Sequence, residues 1–130
     1  MIEILKQIPF FAELSDEDVN AIGQKVQMQY FGPNQVIFEQ GDYGEEMFII
    51  KRGQVQVLRN EAMIAELSDH AFFGEMALVS DEPRNATVKA KGDVEALVLK
   101  KDDFRQLLET IPTIASAVSY EVVKRANEIS

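Results

Sequence analysis

The residues best suited to chemistry lie in two short blocks, 73–78 (FGEMAL) and 83–87 (PRNAT). Gly74 lets the backbone approach a ligand closely, and the apolar run after it can form one or two helical turns. Exposed N–H groups at the start of such a turn, together with the guanidinium of Arg84, are typical of a site for a small anion such as a phosphate. The backbone N–H groups of Met76 and Ala77 are predicted to face that phosphate.

Glu75 needs a different partner, because a carboxylate repels an anion. It would accept a hydrogen bond from a neutral donor on the same ligand, and a ribose hydroxyl fits. A cyclic nucleotide carries one phosphate and a free ribose hydroxyl and therefore fits both groups. The competing interpretations are a surface salt bridge from Arg84 to Asp81 or Glu82, and an ordinary acidic residue at a helix start for Glu75.

The two blocks resemble the phosphate-binding cassette of the cyclic nucleotide-binding domain family. This family includes the regulatory subunits of cAMP-dependent protein kinase, the catabolite activator protein and nucleotide-gated ion channels. Two blocks at the family's spacing are far more specific than a lone glycine motif. The resemblance extends over nearly the whole chain, since Gly41–Gly44 and Lys51–Gly53 resemble the family's turns between strands and Val94–Leu99 resembles its last strand.

The resemblance implies a role for each of several residues. Arg84 would bind the cyclic phosphate and Glu75 the ribose 2′-hydroxyl. The remaining ligand-binding residues would be Gly74, Met76, Ala77, Asn85 and Ala86 in the cassette, Val57, Ala65 and Leu67 on strands that line the pocket, and Arg125 on the last helix as a cover for the base. Tyr120 is a second candidate cover. The alternatives are ordinary core packing for the three strand residues and Tyr120, and a solvated helix face for Arg125.

Asn85 departs from the family's commonest residues at this position, which are alanine, serine and threonine. Threonine there is associated with cGMP in the family, so its absence favours cAMP. The amide of Asn85 can bond to the phosphate or the base through either end, and a plain turn residue is the alternative.

Hydrophobic periodicity predicts helices, then short strands, then helices. Ser15 followed by three acidic residues predicts a helix that runs to about Gln24. The alternation of Val26, Met28 and Tyr30 with polar neighbours predicts a half-buried strand. Further strands are predicted at 35–39, 47–51, 54–59, 63–67, 87–91 and 94–99, followed by a helix capped by Asp102 or Asp103 that ends near Thr110 and a last helix from Pro112 to about Glu128.

We therefore predict one domain over residues 1–130, mainly β with flanking helices. The family resemblance implies a jelly-roll-like β-roll. Its parts would be N-terminal helices in 1–25, the β-roll in 26–99 with the cassette at 73–87, and C-terminal helices in 102–130, the last of which forms a lid.

Composition excludes several classes of function. With 22 acidic and 13 basic residues the formal net charge is −9, and such a surface repels nucleic acid and anionic membrane. The absence of cysteine removes thiolate catalysis and most zinc sites and suits the cytoplasm. No apolar run approaches the roughly 20 residues of a membrane helix. His70, the only histidine, is expected to be a turn residue and cannot build a multi-histidine metal centre.

These observations and the family resemblance predict a regulatory domain with no catalytic activity, cofactor or metal, whose ligand is cAMP or cGMP, with cAMP favoured. Closure of the last helix over the base would control an output domain or partner outside this chain, such as a membrane channel like the bacterial nucleotide-gated potassium channels. The domain would be cytoplasmic, or the cytosolic part of a membrane protein. The alternative is a degenerate domain of the same fold that serves as a structural or protein-interaction module without a ligand.

Overall fold

The computed structural model describes residues 2–8, 11–78, 80–114 and 116. In chain order the elements are α1 (Ile2–Lys6), α2 (Asp16–Gly23), β1 (Gln27–Phe31), β2 (Val36–Phe38), β3 (Glu46–Arg59), β4 (Ala62–Leu67), β5 (Phe72–Phe73), a 3₁₀ turn (Glu75–Leu78), β6 (Thr87–Lys100) and α3 (Lys101–Thr110). Residues 112–114 and 116 are again helical. The predicted mainly β fold with flanking helices is confirmed.

All six strands belong to one antiparallel sheet built around β3 and β6. The strand order is β1-β6-β3-β4, with β2 also paired to β6 and β5 paired to β3. The two central strands pair from Glu46 opposite Lys100 to Leu58 opposite Thr87. One end of this pair adjoins α3, and the other end lies at Thr87, the last residue of the second motif block.

At two places in the chain, two strands predicted as separate form one continuous strand. The segments 47–51 and 54–59 join into β3, and 87–91 and 94–99 join into β6. The turn predicted at Lys51–Gly53 is wrong, because the β3–β6 register only shifts there and the strand continues. Gly53 has φ of +119° and Gly92 has φ of +82°. These glycines mark irregularities within strands, where a local kink needs a residue without a side chain.

The one-sided burial predicted for β1 is also wrong. Met28 and Tyr30 are 50% and 60% exposed, and Phe31 is the buried residue of the strand. The Tyr30 hydroxyl donates to Asp93 Oδ1 at 2.6 Å, and this bond raises the pKa of Tyr30. Alternation predicts that a strand has two different faces, but burial depends on which face another element covers.

The sequence signals predict the start of α2 correctly and the cap of α3 incorrectly. Ser15 Oγ accepts the backbone N–H of Asp18 at 3.2 Å, so the predicted cap of α2 is confirmed. The predicted cap of α3 is wrong, since its N-cap is Lys100 without a side-chain bond and Asp102 and Asp103 lie in the first turn. Among the described helices, none is long and apolar enough to cross a bilayer.

Two hydrophobic clusters lie on opposite sides of the central strands. The first joins the helices to one end of the sheet and contains Ile49 and Leu97, whereas the second fills the roll and contains Ile50 and Val98. Successive residues of a strand point to opposite faces, so β3 and β6 supply both clusters. The sheet thus separates a helical core from the interior of the roll.

We predict that Gly53→Ala destabilises the fold more than Gly92→Ala. Both positions have positive φ, which costs a side chain on the order of 1–3 kcal/mol. A Cβ at Gly53 would also lie 2.5 Å from Asp93 O, whereas at Gly92 nothing lies within 4 Å. Urea denaturation followed by circular dichroism measures both unfolding free energies. Equal losses of unfolding free energy in the two variants would show that β3 and β6 move apart at Gly53 without cost.

Candidate functional site

A cavity of about 280 Å³ lies where the 3₁₀ turn and the loop 80–86 meet the second half of β3. This volume is close to the lower end of the range for small-molecule sites. The lining residues are Phe38, Val57, Arg59, Leu67, Phe73, Gly74, Glu75, Met76, Ala77, Glu82, Pro83, Arg84, Asn85, Ala86 and Val88. The structure therefore brings together most of the residues predicted to bind a ligand.

Among the candidate residues that the structure describes, one is not in this lining. Ala65 is half-buried opposite Val57 in the β3–β4 pair and packs against the cluster inside the roll, so it supports the wall. Arg125 and Tyr120, the two candidate covers of the base, lie outside the described residues, as does most of the predicted lid helix.

Six lining residues were not predicted to bind a ligand: Phe38, Arg59, Phe73, Glu82, Pro83 and Val88. Phe73 and Pro83 belong to the two motif blocks, and Val88 follows Ala86 at strand spacing, so the motif and the period of two could have found them. Phe38 and Arg59 come from distant strands, and no local signal connects them to the cassette.

The guanidinium of Arg84 lies inside the protein at the wall of the cavity. The residue is 9% exposed. Its Nη1 donates to Gly74 O at 3.1 Å and its Nη2 donates to Glu46 O at 2.9 Å. Its Nε is buried and has no partner among the described residues. Arg84 is therefore held by two backbone carbonyls, and its Nε–H is a buried donor without an acceptor among the described residues.

The alternative salt bridge to Asp81 does not occur. Lys101 Nζ lies 2.6 Å from Asp81 Oδ1, and this bond lowers the pKa of the Asp81 carboxyl. Lys101 is itself buried at the start of α3, so the pair links the cassette loop to that helix.

Burial dominates the electrostatics of Arg84. Desolvation lowers the pKa of its guanidinium from the ordinary value, and the carboxylates of Glu46, Glu75 and Asp42 act in the opposite direction. Arginine keeps its proton in proteins, so the cavity wall carries a fixed positive charge.

Two glycines make room for this guanidinium. Gly74 has φ of +77°, and a Cβ there would lie 2.9 Å from Arg84 Nη1 and 3.1 Å from Glu46 O. A Cβ at Gly44 would lie 2.6 Å from Nε and 2.7 Å from Cζ of Arg84. The loop before β3 is also bonded to Arg84 through the backbone, with Arg84 N donating to Asp42 O at 2.7 Å. The segment 41–44, predicted to be a turn, therefore packs closely against Arg84.

The turn after Gly74 is a single 3₁₀ turn. Glu75 is buried at its start and lines the cavity. The Ala77 N–H, which was predicted to face a phosphate, donates to Gly74 O at 3.2 Å in this structure. A ligand would have to compete with or share that bond.

Arg59 fixes the segment that follows Arg84. Its Nε donates to the backbone carbonyl of Asn85 at 3.1 Å. Asn85 is exposed and lines the cavity, which places it at the opening. The last residue of β3, Arg59, therefore holds the second motif block in place through the backbone of Asn85.

Within the part of the chain that the structure describes, no group of three or more His, Cys, Asp or Glu residues could hold a metal ion. His70 has φ of 71° in the turn between β4 and β5 and donates its backbone N–H to Ile50 O at 2.7 Å. It is a turn residue, as predicted.

Comparison with known proteins identifies the family of this chain. A family model described as the cyclic nucleotide-binding domain matches residues 28–111, which include both motif blocks. The chain belongs to the cyclic nucleotide-binding domain family. The resemblance inferred from the cassette is therefore confirmed.

The relatives include regulatory proteins of several kinds. The chain is 30% identical over 124 residues to the cAMP-dependent protein kinase regulatory subunit of Hypocrea atroviridis, covering 95% of this chain and 27% of the relative. It is 32% identical over 123 residues to a cyclic nucleotide-gated potassium channel of Rhizobium etli, covering 95% of this chain and 34% of the channel. The crystal structure of the Thermus thermophilus catabolite activator protein matches with a TM-score of 0.85 and 29% identity, covering 92% of this chain and 59% of that one.

This cyclic nucleotide-binding domain spans about a third or less of the length of the kinase subunit and the channel.

We predict that Gly44→Ala displaces the Arg84 side chain while the domain stays folded. Gly44 does not have positive φ, so an alanine causes no backbone strain there, but its Cβ would overlap the guanidinium. The Nε–H signal of Arg84 in a ¹H–¹⁵N spectrum should shift, with Gly32→Ala as the control because only contacts of 3.9 Å or more lie there. An unchanged Arg84 signal in Gly44→Ala would mean that the guanidinium does not rest on Gly44.

Proposed function

We propose that this chain is a sensor domain that binds a cyclic purine nucleotide, cAMP in preference to cGMP, without hydrolysing it. The observation that carries the proposal is the buried Arg84 guanidinium at the wall of the cavity, whose Nε lacks a partner among the described residues. A buried donor without an acceptor is costly, and a ligand phosphate would supply one.

The hydrogen-bonding capacity of Arg84 fits a cyclic phosphate. A guanidinium has five N–H donors, and the bonds to Gly74 and Glu46 use two of them. The remaining donors are the Nε–H and one N–H on each terminal nitrogen. The two exocyclic oxygens of a cyclic phosphate can accept a bidentate pair from such a fork.

Glu75 is proposed to bind the ribose 2′-hydroxyl. Its side chain is buried at the start of the 3₁₀ turn and lines the same cavity as Arg84. A carboxylate accepts hydrogen bonds and donates none when ionised. The ribose 2′-hydroxyl of a cyclic nucleotide can donate to it.

The base is proposed to rest on the apolar wall formed by Val57, Leu67 and Val88. The preference for cAMP is supported by Asn85, which stands where threonine is associated with cGMP in the family, and by the kinase relatives, whose name refers to cAMP.

The proposed role is regulatory and not catalytic. Binding would favour a closed position of the last helix, with Arg125 or Tyr120 over the base, and this would act on an output outside this chain. A ligand shifts such an equilibrium only by its differential contacts with the two states. A kinase subunit and a channel among the relatives support an output of this kind, and we propose a cytoplasmic location for the domain.

Arg84→Leu should reduce cAMP affinity by roughly 30-fold to several thousand-fold, the loss of about 2–5 kcal/mol expected when one partner of a buried charge pair is removed. Calorimetry with cAMP and cGMP gives the affinities. Arg105→Leu is the matched control, since the Arg105 side chain is 61% exposed on α3 and should leave binding unchanged.

The wild-type titration decides between this proposal and the ligand-free alternative. Heat of binding with no linear nucleotide formed supports a sensor. No binding at millimolar cAMP or cGMP would favour a structural module, and near-normal affinity of Arg84→Leu would place the phosphate elsewhere.

The role of Glu75 is tested by a double-mutant cycle that uses a modified ligand. Wild-type protein should bind 2′-deoxy-cAMP much more weakly than cAMP, because the carboxylate loses its donor. Glu75→Gln should discriminate little between the two ligands. Equal discrimination by both proteins would reject the assignment.

A further inference from the structure

An aromatic ring lies against the guanidinium that the proposed function depends on. The Cζ atom of Arg84 is 4.0 Å from the centroid of the Phe38 ring. Phe38 is the last residue of β2, is half-buried and lines the cavity. A Cβ at Gly74 would also lie 3.4 Å from Phe38 Cε2, so the ring contacts the cassette itself.

The contact has the geometry of a cation–π interaction. A guanidinium within about 6 Å of a ring centroid is attracted by the negative face of the ring, and the attraction is stronger when the cation is shielded from water. Arg84 meets both conditions, because it is close to the ring and is 9% exposed.

The hydrogen bonds of Arg84 leave one rotation free. Bonds from Nη1 to Gly74 O and from Nη2 to Glu46 O fix the two terminal nitrogens. The guanidinium plane can still tilt about the line through these nitrogens, and this tilt decides where the Nε–H points. A flat ring 4.0 Å from Cζ opposes the tilt.

Phe38 is itself held by other rings. Its centroid lies 6.0 Å from that of Phe48 and 5.9 Å from that of Phe73. Phe48 and Phe73 stack at 5.1 Å with an interplanar angle of 11°. The pairing of β2 with β6 also shifts register between Val36 and Phe38, and such an irregularity changes the direction of a side chain.

We propose that Phe38 is a positioning residue for phosphate recognition, whose aromatic face sets the orientation of the Arg84 guanidinium. The inference rests on the proposed function and extends it, since neither motif block contains Phe38. An apolar residue that only filled space could be replaced by leucine without effect on the charge contact. A residue that acts through its ring could not.

The test compares Phe38→Leu with Phe31→Leu in the whole chain. Phe31 belongs to the same group of rings, 6.1 Å from Phe48, and is buried without lining the cavity. Both variants should lose stability, but only Phe38→Leu should also lose cAMP affinity, by roughly 3- to 30-fold, as expected for a desolvated cation–π contact. Phe38→Tyr, which keeps the ring face, should stay within about twofold of wild type.

A double-mutant cycle separates positioning from packing. In an Arg84→Leu background, Phe38→Leu should cause no further loss of cAMP affinity, because the ring acts through the guanidinium. A full additional loss there would show that Phe38 contacts the ligand by itself and would overturn the inference.

The orientation of the Arg84 guanidinium can also be tested without ligand by nuclear magnetic resonance. The Nε–H signal of Arg84 should shift in Phe38→Leu and not in Phe31→Leu, because the ring shields or deshields protons that lie against its face. Normal cAMP affinity in Phe38→Leu, with wild type binding well, would overturn this inference alone. Failure of wild type to bind any cyclic nucleotide would overturn the proposed function together with it.

Discussion

A positively charged side chain inside a protein needs acceptors and shielding, and the surroundings of Arg84 are arranged to supply them. Two backbone carbonyls accept hydrogen bonds from its terminal N–H groups, and the Phe38 ring lies against its Cζ atom. Three carboxylates lie near enough to influence its pKa. Glycines at 44 and 74 are the places where a side chain would collide with it. The cassette, the loop before β3 and the end of β2 therefore meet around one guanidinium.

This arrangement explains how an acidic chain can bind an anion. The formal net charge of −9 repels a phosphate at long range, but solvent screening weakens that repulsion beyond about 8–10 Å. Inside the cavity the dielectric response is smaller, so a fixed cation with an unused donor has a larger effect at short range. Under the proposed function, selectivity for a phosphate comes from the cavity wall around Arg84 and not from the charge of the protein surface.

The cassette also lies at the boundary between the two clusters. Leu78 at the end of the 3₁₀ turn belongs to the helical core, whereas Phe73, which precedes Gly74, belongs to the cluster inside the roll. Lys101, the first residue of α3, bonds to Asp81 in the cassette loop. Under the proposed function, Leu78 and Lys101 therefore connect the ligand-binding turn and its loop to the helices.

Local signals determined a large part of this protein. The motif blocks are contiguous and the cap at Ser15 depends on a few neighbouring residues, so sequence alone indicated the family, the two motif blocks and the succession of helices, strands and helices. Tertiary structure decided the rest. Whether Gly53 ends a strand or kinks it depends on the partner strand β6, and the exposure of Met28 and Tyr30 depends on what covers β1. The contacts of Arg84 with Glu46 and Phe38 join residues far apart in the chain, and only the folded sheet brings them within hydrogen-bonding or stacking distance.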